Sequence, residues 1–405
     1  MTASDYELLV SREDVVAYLD GRGMLPRLAE SPDEVTVTEV TAGNMNRVFI
    51  ARGPLGSIAV KQAPPWVQVV GPEWPIDPGR IASEARAYDM LARLVPETVP
   101  AVEALDPDRY ILVMEDLSDL RVLRDVLVDQ VADHLAGRPV ATIDFVALGR
   151  AVGRFSAELS LATSTATLDA AAHAALIEQA ANPELSALTD AVVLDEPYRE
   201  HEHNHWLPEL DTEVRAMYRD RRLLDAVARV RSTFENRAEA LIHGDLHTGS
   251  LMIGARAGVQ AAKVFDPEFS FVGPIGMDLG IFWANMVIAS IAARTAGAVE
   301  LAGERLSAVS ESWAEFVDIV RRKAQAGSVD GLGIEAWLAR IDADAWGFAG
   351  VESIRRVAGF SHSADLTTLP HELSVAAHAE LLQRAIAWVI EQRDPITAAE
   401  TRETA

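Results

Sequence analysis

The period of the hydrophobic residues changes once along this chain, and that change restricts the fold more than any other feature. Over residues 35–61, β-branched residues alternate with polar ones: Val35-Thr36-Val37-Thr38-Glu39-Val40, then Val48-Phe49-Ile50, then Ser57-Ile58-Ala59-Val60-Lys61. Successive side chains of a strand point to opposite faces, so a period of two marks a half-buried sheet. Turn signals at Ala42-Gly43-Asn44 and Gly53-Pro54-Leu55-Gly56 predict three short antiparallel strands. A Pro-rich loop over residues 64–78 follows, and then Ile81, Ala85, Tyr88, Leu91 and Ala92 recur at helical spacing. A strand over residues 110–114 runs into Glu115-Asp116. From about Arg121 onward the period is mostly helical, in segments such as 145–162 and 374–392. The exception is a group of short strand-like pieces, 241–242, 251–253 and 262–265. The expected fold is α+β, with a small antiparallel sheet and one main helix over residues 1–116 and a larger, mainly helical part over 117–405. No repeat or low-complexity linker separates them, so residues 117–120 read as a hinge.

At 405 residues and 49% hydrophobic content, the chain can bury a core in each of two parts. The longest apolar run, 280–293, is short for a membrane span and is broken by Asn285 and Ser290, which predicts a buried helix. Residues 1–15 carry Asp5, Glu7, Glu13 and Asp14 in place of the basic start of a secretory signal. With no cysteine in the chain, a reducing cytoplasm is the default expectation. A formal charge of −25 opposes nucleic acid and anionic membrane as partners. The densest basic run, Arg219-Asp220-Arg221-Arg222, is flanked by acidic residues and reads as a helix surface.

The segment most informative about chemistry is Leu241-Ile242-His243-Gly244-Asp245-Leu246-His247-Thr248-Gly249-Ser250, with Asp266-Pro267-Glu268-Phe269 about twenty residues further on. Two strand-like pieces flank the first carboxylate and another precedes the second, a layout able to present two carboxylates to one cleft. Phosphoryl transfer needs that division: one carboxylate orients and deprotonates the attacking hydroxyl, and another holds Mg²⁺ at the phosphates. A His-Gly-Asp triplet alone says little. Combined with the downstream pair and with Lys61 at the end of an apolar strand, it becomes specific.

These residues resemble the aminoglycoside phosphotransferase and choline kinase branch of the protein-kinase-like superfamily. The likeness is carried by 243–250, 266–269, Val60-Lys61-Gln62, Val69-Val70-Gly71-Pro72-Glu73-Trp74-Pro75 and Ile354-Arg355-Arg356, and extends from about residue 43 to 365. Thr248-Gly249-Ser250 and Asp266-Pro267-Glu268 stand where most of the branch has Pro-Gly-Asn and Asp-x-Asp. They narrow the resemblance to members acting on a methylthio-substituted sugar.

The resemblance implies a protein-kinase-like two-lobe fold, ATP and Mg²⁺ as cofactors, a small sugar as substrate and a homodimer. The implied reaction phosphorylates an anomeric 1-hydroxyl in methionine salvage, with Asp245 as base. Lys61 would meet the α/β-phosphates, steadied by Glu84 on the 80–94 helix. Gly43, Asn44 and Asn46 lie in a turn open enough for backbone N–H groups to approach phosphate. Main-chain groups around Glu115 and Leu117 would meet the adenine edge. On an extended backbone Asp266 and Glu268 would share one side and hold metal, with Glu268 supplying what Ser250, a weaker ligand than Asn, does not. Gly244 replaces the Arg of the usual protein-kinase triplet and no Ala-Pro-Glu follows, which argues against protein substrates. Asp278 is placed to cap the helix after it and brace the catalytic loop. Arg355 and Arg356 would face substrate and transferred phosphate, although adjacent helical residues point about a quarter-turn apart. Trp74, held in a loop by Pro72 and Pro75, would cover the methylthio tail. Another alcohol, such as an aminoglycoside, choline or homoserine, and a catalytically silent nucleotide-binding protein are the alternatives. His201-Glu202-His203-Asn204-His205 has metal-like spacing, but no further ligand set is evident nearby and a plain loop is the simpler reading.

Overall fold

The computed structural model describes residues 6–41, 45–256, 259–326 and 333–394. They form two compact units. The first runs to Arg121 and regains Lys263–Glu268; the second comprises Val122–Ala262 and the chain from Phe269 onward.

The first unit opens with α1 (Arg12–Gly21). Its N-terminus is a capping box: Ser11 Oγ accepts from Asp14 N–H, and the Asp14 carboxylate accepts from Ser11 N–H at 2.9 Å. The expected strands follow as β1 (Thr36–Val40), β2 (Arg47–Gly53) and β3 (Gly56–Gln62). After the short hairpin β4 (Trp66–Val67) and β5 (Gly71–Pro75) come α2 (Arg80–Leu94), β6 (Val102–Asp106) and β7 (Ile111–Glu115). The main sheet has the order β1-β2-β3-β7-β6 and is antiparallel throughout. Val60, opposite Phe49 and Val113, joins the core that β2, β3 and β7 make with Val15 and Leu19 of α1. Its neighbour Lys61 therefore points to the other face of the sheet. On α2, Ile81, Glu84, Ala85, Tyr88 and Leu91 are buried along one stripe, which places Glu84 among apolar residues.

In the second unit the strands are small: β8 (Arg121–Val122), which begins at the join, β9 (Ala240–Ile242), β10 (Leu251–Arg256), β11 (Val259–Val264), whose last two residues belong to the first unit, and β12 (Phe271–Gly273). The helices are α3 (Leu123–Leu135), α4 (Phe145–Thr163), α5 (Ala170–Gln179), α6 (Pro183–Thr189), α7 (Asp211–Met217), α8 (Arg221–Asn236) and α9 (Gly276–Thr295). After them come α10 (Val299–Gln325), α11 (Ile334–Ala358), α12 (Ala364–Thr367) and α13 (His371–Glu391). The apolar run is indeed a buried helix, α9, with Met277 to Ala293 all shielded. It packs against α10 and α11. At Gly280 a Cβ would come 2.2 Å from Ala345 O, so α9 and α11 touch through main chain. Around this crossing, the rings of Trp283 and Trp346 meet tilted at 5.0 Å and those of Trp346 and Trp388 at 5.4 Å. Arg221 and Arg222 begin α8, exposed, with Asp220 as the cap.

Candidate active site

The first unit gathers a buried cation and three carboxylates. Lys61, 6% exposed, donates to Glu84 at 2.8 Å and pairs with Asp266. Burial works against the Lys61 charge, but Asp266, Glu84 and Glu268 outweigh it and hold the ammonium well above its ordinary pKa. The segment 263–268 is tied to this unit by Lys263 Nζ on Val99 O at 3.0 Å and by Asp266 N–H on Tyr88 Oη at 2.8 Å. Asp266 has φ 65°, so its backbone is left-handed, and Glu268 lies in a turn. The two carboxylates therefore converge through a tight bend and not through the extended alternation expected from sequence. Asn46 spends its side chain here: Nδ2 donates to Glu268 Oε2 at 2.8 Å, and Oδ1 accepts from Arg80 Nη2 at 3.0 Å.

A divalent cation suits this donor set. One oxygen each of Glu84, Asp266 and Glu268 lies within 4.8 Å of the others. Burial, then the Asp266 charge, push Glu268 up to about 8; burial likewise pushes Glu84 up to about 7. Burial raises both despite the nearby Lys61 and Arg80 charges, and a hard, oxygen-seeking ion is a partner that can ionise such carboxyls.

The second unit builds a separate set around Asp245. β9, paired antiparallel with β12, leads into the loop from His243 to Ser250, and β10 leaves it. Asp278 accepts the N–H groups of His243 at 2.7 Å and Gly244 at 2.9 Å. It belongs to the first turn of α9, whose cap position is Ile275, so Asp278 braces the loop without capping the helix. Gly244 has φ +84°, and a Cβ there would meet Phe269 O at 2.2 Å; only glycine fits. Ser250 Oγ donates to Asp245 O at 2.9 Å, so this hydroxyl holds the loop's shape.

Both Asp245 oxygens have partners in the same unit. Oδ1 lies 3.5 Å from Arg355 Nη2, and Oδ2 lies 3.4 Å from His247 Nε2. His247 Nδ1 accepts Gly249 N–H at 2.9 Å, so its proton belongs on Nε2, facing Asp245. Burial lowers the His247 pKa despite the Asp245 charge, keeping the ring neutral.

The quarter-turn difficulty with Arg355 and Arg356 is met by a residue that sequence reasoning missed. Glu352, 1% exposed, accepts Arg355 Nε on Oε2 and Arg356 Nε on Oε1, the latter at 2.8 Å. Asn285 Nδ2 adds a contact at 3.2 Å. Burial would raise this carboxyl, but the two guanidiniums beside it win and hold it at about 2. The signal was present as Glu at i−3 and i−4 from the pair, the spacing at which helical side chains meet.

Of the other expected residues, Trp74 is half-buried on strand β5 of the first unit and not in a loop, while Arg355 and Arg356 are on α11 of the second. Glu115 ends β7 with its N–H given to Ala101 O at 2.8 Å; Leu117 is buried. Gly43 and Asn44 lie outside the described residues.

One unit thus holds a lysine buried among carboxylates and the other an aspartate on a braced His-Gly-Asp loop, and comparison with known families gives the class, a phosphotransferase. The model of the phosphotransferase enzyme family matches residues 36–309, and the chain belongs to that family. Within it, the chain is 34% identical over 367 residues to a methylthioribose kinase of Geobacillus kaustophilus, covering 88% of this chain and 87% of the relative. Over 348 residues it is 33% identical to a methylthioribose kinase of Bacillus cereus, covering 85% and 84%. Among solved structures, a Plasmodium vivax ethanolamine kinase aligns over 95% of each chain at 10% identity with a TM-score of 0.44. Family membership and the observed elements agree on the kinase-like α+β fold.

Proposed function

We propose that this protein transfers the γ-phosphoryl group of ATP to the 1-hydroxyl of 5-methylthioribose. The observation that carries the reading is Asp245, held at one oxygen by His247 and at the other by Arg355, in a chain one-third identical to methylthioribose kinases. The sugar oxygen attacks the γ-phosphorus, its proton passes to Asp245, and the bond from the γ-phosphorus to the bridging oxygen breaks to release ADP. Preorganised donors at the developing charge lower the barrier, a role assigned to Arg355 and Arg356. Lys61, fixed by Glu84, would pair with the α/β-phosphates; Asn46 and the turn with Gly43 and Asn44 would lie along them. Asp266 and Glu268 would hold Mg²⁺, which when bound offsets phosphate charge. Main chain near Glu115 and Leu117 would receive adenine, and Trp74 would shield the methylthio group. A cytoplasmic homodimer acting in methionine salvage completes the reading.

A substrate panel tests it. A buried methylthio group should favour methylthioribose over ribose by roughly 10–200-fold in kcat/KM, and aminoglycosides, choline and homoserine should be inert. Phosphorylation of one of those alcohols without methylthioribose turnover would overturn the substrate; no ATP-dependent turnover of any alcohol would overturn the reaction.

A further inference from the structure

The loop after α6 in the second unit assembles three side chains that phosphoryl transfer does not use. The sequence offered His201 and His203 without a third ligand; the fold supplies Glu196. This carboxylate is buried, and its Oε2 lies 3.0 Å from His203 Nδ1 and 3.6 Å from His201 Nδ1. One ligand atom from each residue lies within 4.8 Å of the other two. Donors bound tetrahedrally to one ion at zinc–nitrogen bond lengths stand about 3.3 Å apart, between the two measured separations.

The loop is fixed by contacts of its own. Asn204 Nδ2 donates to Glu196 O at 2.7 Å and to Arg199 O at 2.9 Å, while His205 Nδ1 meets His203 O at 2.7 Å. The His203 ring packs edge-on against Phe360 at 5.9 Å. A long contact from His203 N–H to His201 Nδ1, 3.3 Å, would give way to an ion. Two imidazoles with one carboxylate suit zinc and its first-row neighbours, whereas Mg²⁺ prefers oxygen alone.

We propose that Glu196, His201 and His203 form a transition-metal site of the zinc class, chemically distinct from the all-carboxylate set of the first unit. Phe360 follows α11, and His362 Nδ1 meets Arg356 O at 3.1 Å. An ion would thus clamp the loop on itself and fix the His203 ring against Phe360, just past the helix bearing Arg355 and Arg356.

The test uses untagged full-length protein, freed of metal by chelator and held in excess Mg²⁺, titrated with Zn²⁺ by calorimetry and with Co²⁺ by visible absorption. One tight site per chain is expected, with a low-coordinate Co²⁺ spectrum. His203→Ala, His201→Ala and Glu196→Gln should each weaken binding by roughly 100-fold or more, since even outer-shell partners are worth 10–100-fold. His371→Ala, outside the set and paired with Glu209, should bind as wild type. Weak multi-site uptake, or tight binding that survives both His201→Ala and His203→Ala, overturns the site; these two partly exposed positions serve even if Glu196→Gln does not fold.

Discussion

At the scale of single residues, Asp245 is oriented by neighbours that are themselves oriented, His247 by Gly249 N–H and Arg355 by Glu352. Removing Asp245, the proposed base, should therefore be far costlier than its size suggests: Asp245→Asn is expected to lower kcat by on the order of 10² or more with little change in nucleotide affinity. Steady-state kinetics beside nucleotide titration decides this, and a variant keeping most of its kcat removes Asp245 from the role of base. Glu352→Gln leaves two buried guanidiniums without their carboxylate. Losing one partner of a buried pair costs about 3–5 kcal/mol, and misplacing Arg355 should lower kcat/KM by about 10–100-fold. Urea unfolding and kinetics on the same variant check both, and wild-type values in the two would show that Glu352 positions nothing. For the carboxylate cluster, Glu268→Gln should raise the Mg²⁺ concentration needed for half-maximal activity, because a neutral amide is a poorer ligand. Superimposed Mg²⁺ titrations would exclude Glu268 as a ligand.

At the scale of elements, the loop bearing Asp245 owes its shape to the main chain. Gly244 combines a left-handed φ with a carbonyl 2.2 Å from where a Cβ would lie. Gly244→Ala should cost at least about 1–3 kcal/mol from backbone strain alone, and activity should fall as Asp245 shifts with the loop. An active, equally stable alanine variant would contradict this account of the loop. The helix α11 shows the same dependence on surroundings through two carboxyls shifted in opposite senses. Glu352 is held at about 2 by its arginines, whereas burial pushes Asp342 up to about 6.

For the molecule as a whole, those two shifts shape stability against pH. The folded state binds the Glu352 proton less tightly than the unfolded chain, whose value is 4.5, so that stabilisation is complete above 4.5 and is lost as pH falls toward 2. Asp342 has the opposite sign: its folded pKa exceeds the ordinary 3.8, so stability is lost as pH rises from 3.8 to about 6 and stays lost above. Asp342→Asn should accordingly gain about 1–3 kcal/mol at pH 7 and almost nothing at about pH 3.5. Unfolding curves at the two pH values test it; an equal gain at both would point to packing and not to charge.

What the sequence determined by itself was whatever depends on neighbours along the chain. Alternation over 35–61 became β1 to β3, the spacing of Ile81, Ala85, Tyr88 and Leu91 became α2, and the run 280–293 became buried α9. The motif residues Lys61, Asp245, Asp266, Glu268 and the Arg355-Arg356 pair were also legible, because a charged residue in an apolar strand or beside a Gly turn is conspicuous without coordinates. Their roles remain the proposal above. Only the tertiary structure decided which side chains meet. Glu352, at an ordinary helical position, is set apart by burial between two guanidiniums; Ser250 was turned inward onto Asp245 O, and Asp266 and Glu268 were joined by a left-handed bend. Glu196 came beside His201 and His203 through a loop that Asn204 pins. These partners are near one another in sequence, but which of them meet depends on the burial and loop conformation that the surrounding fold imposes, and of the set only the Glu352 spacing left a local trace.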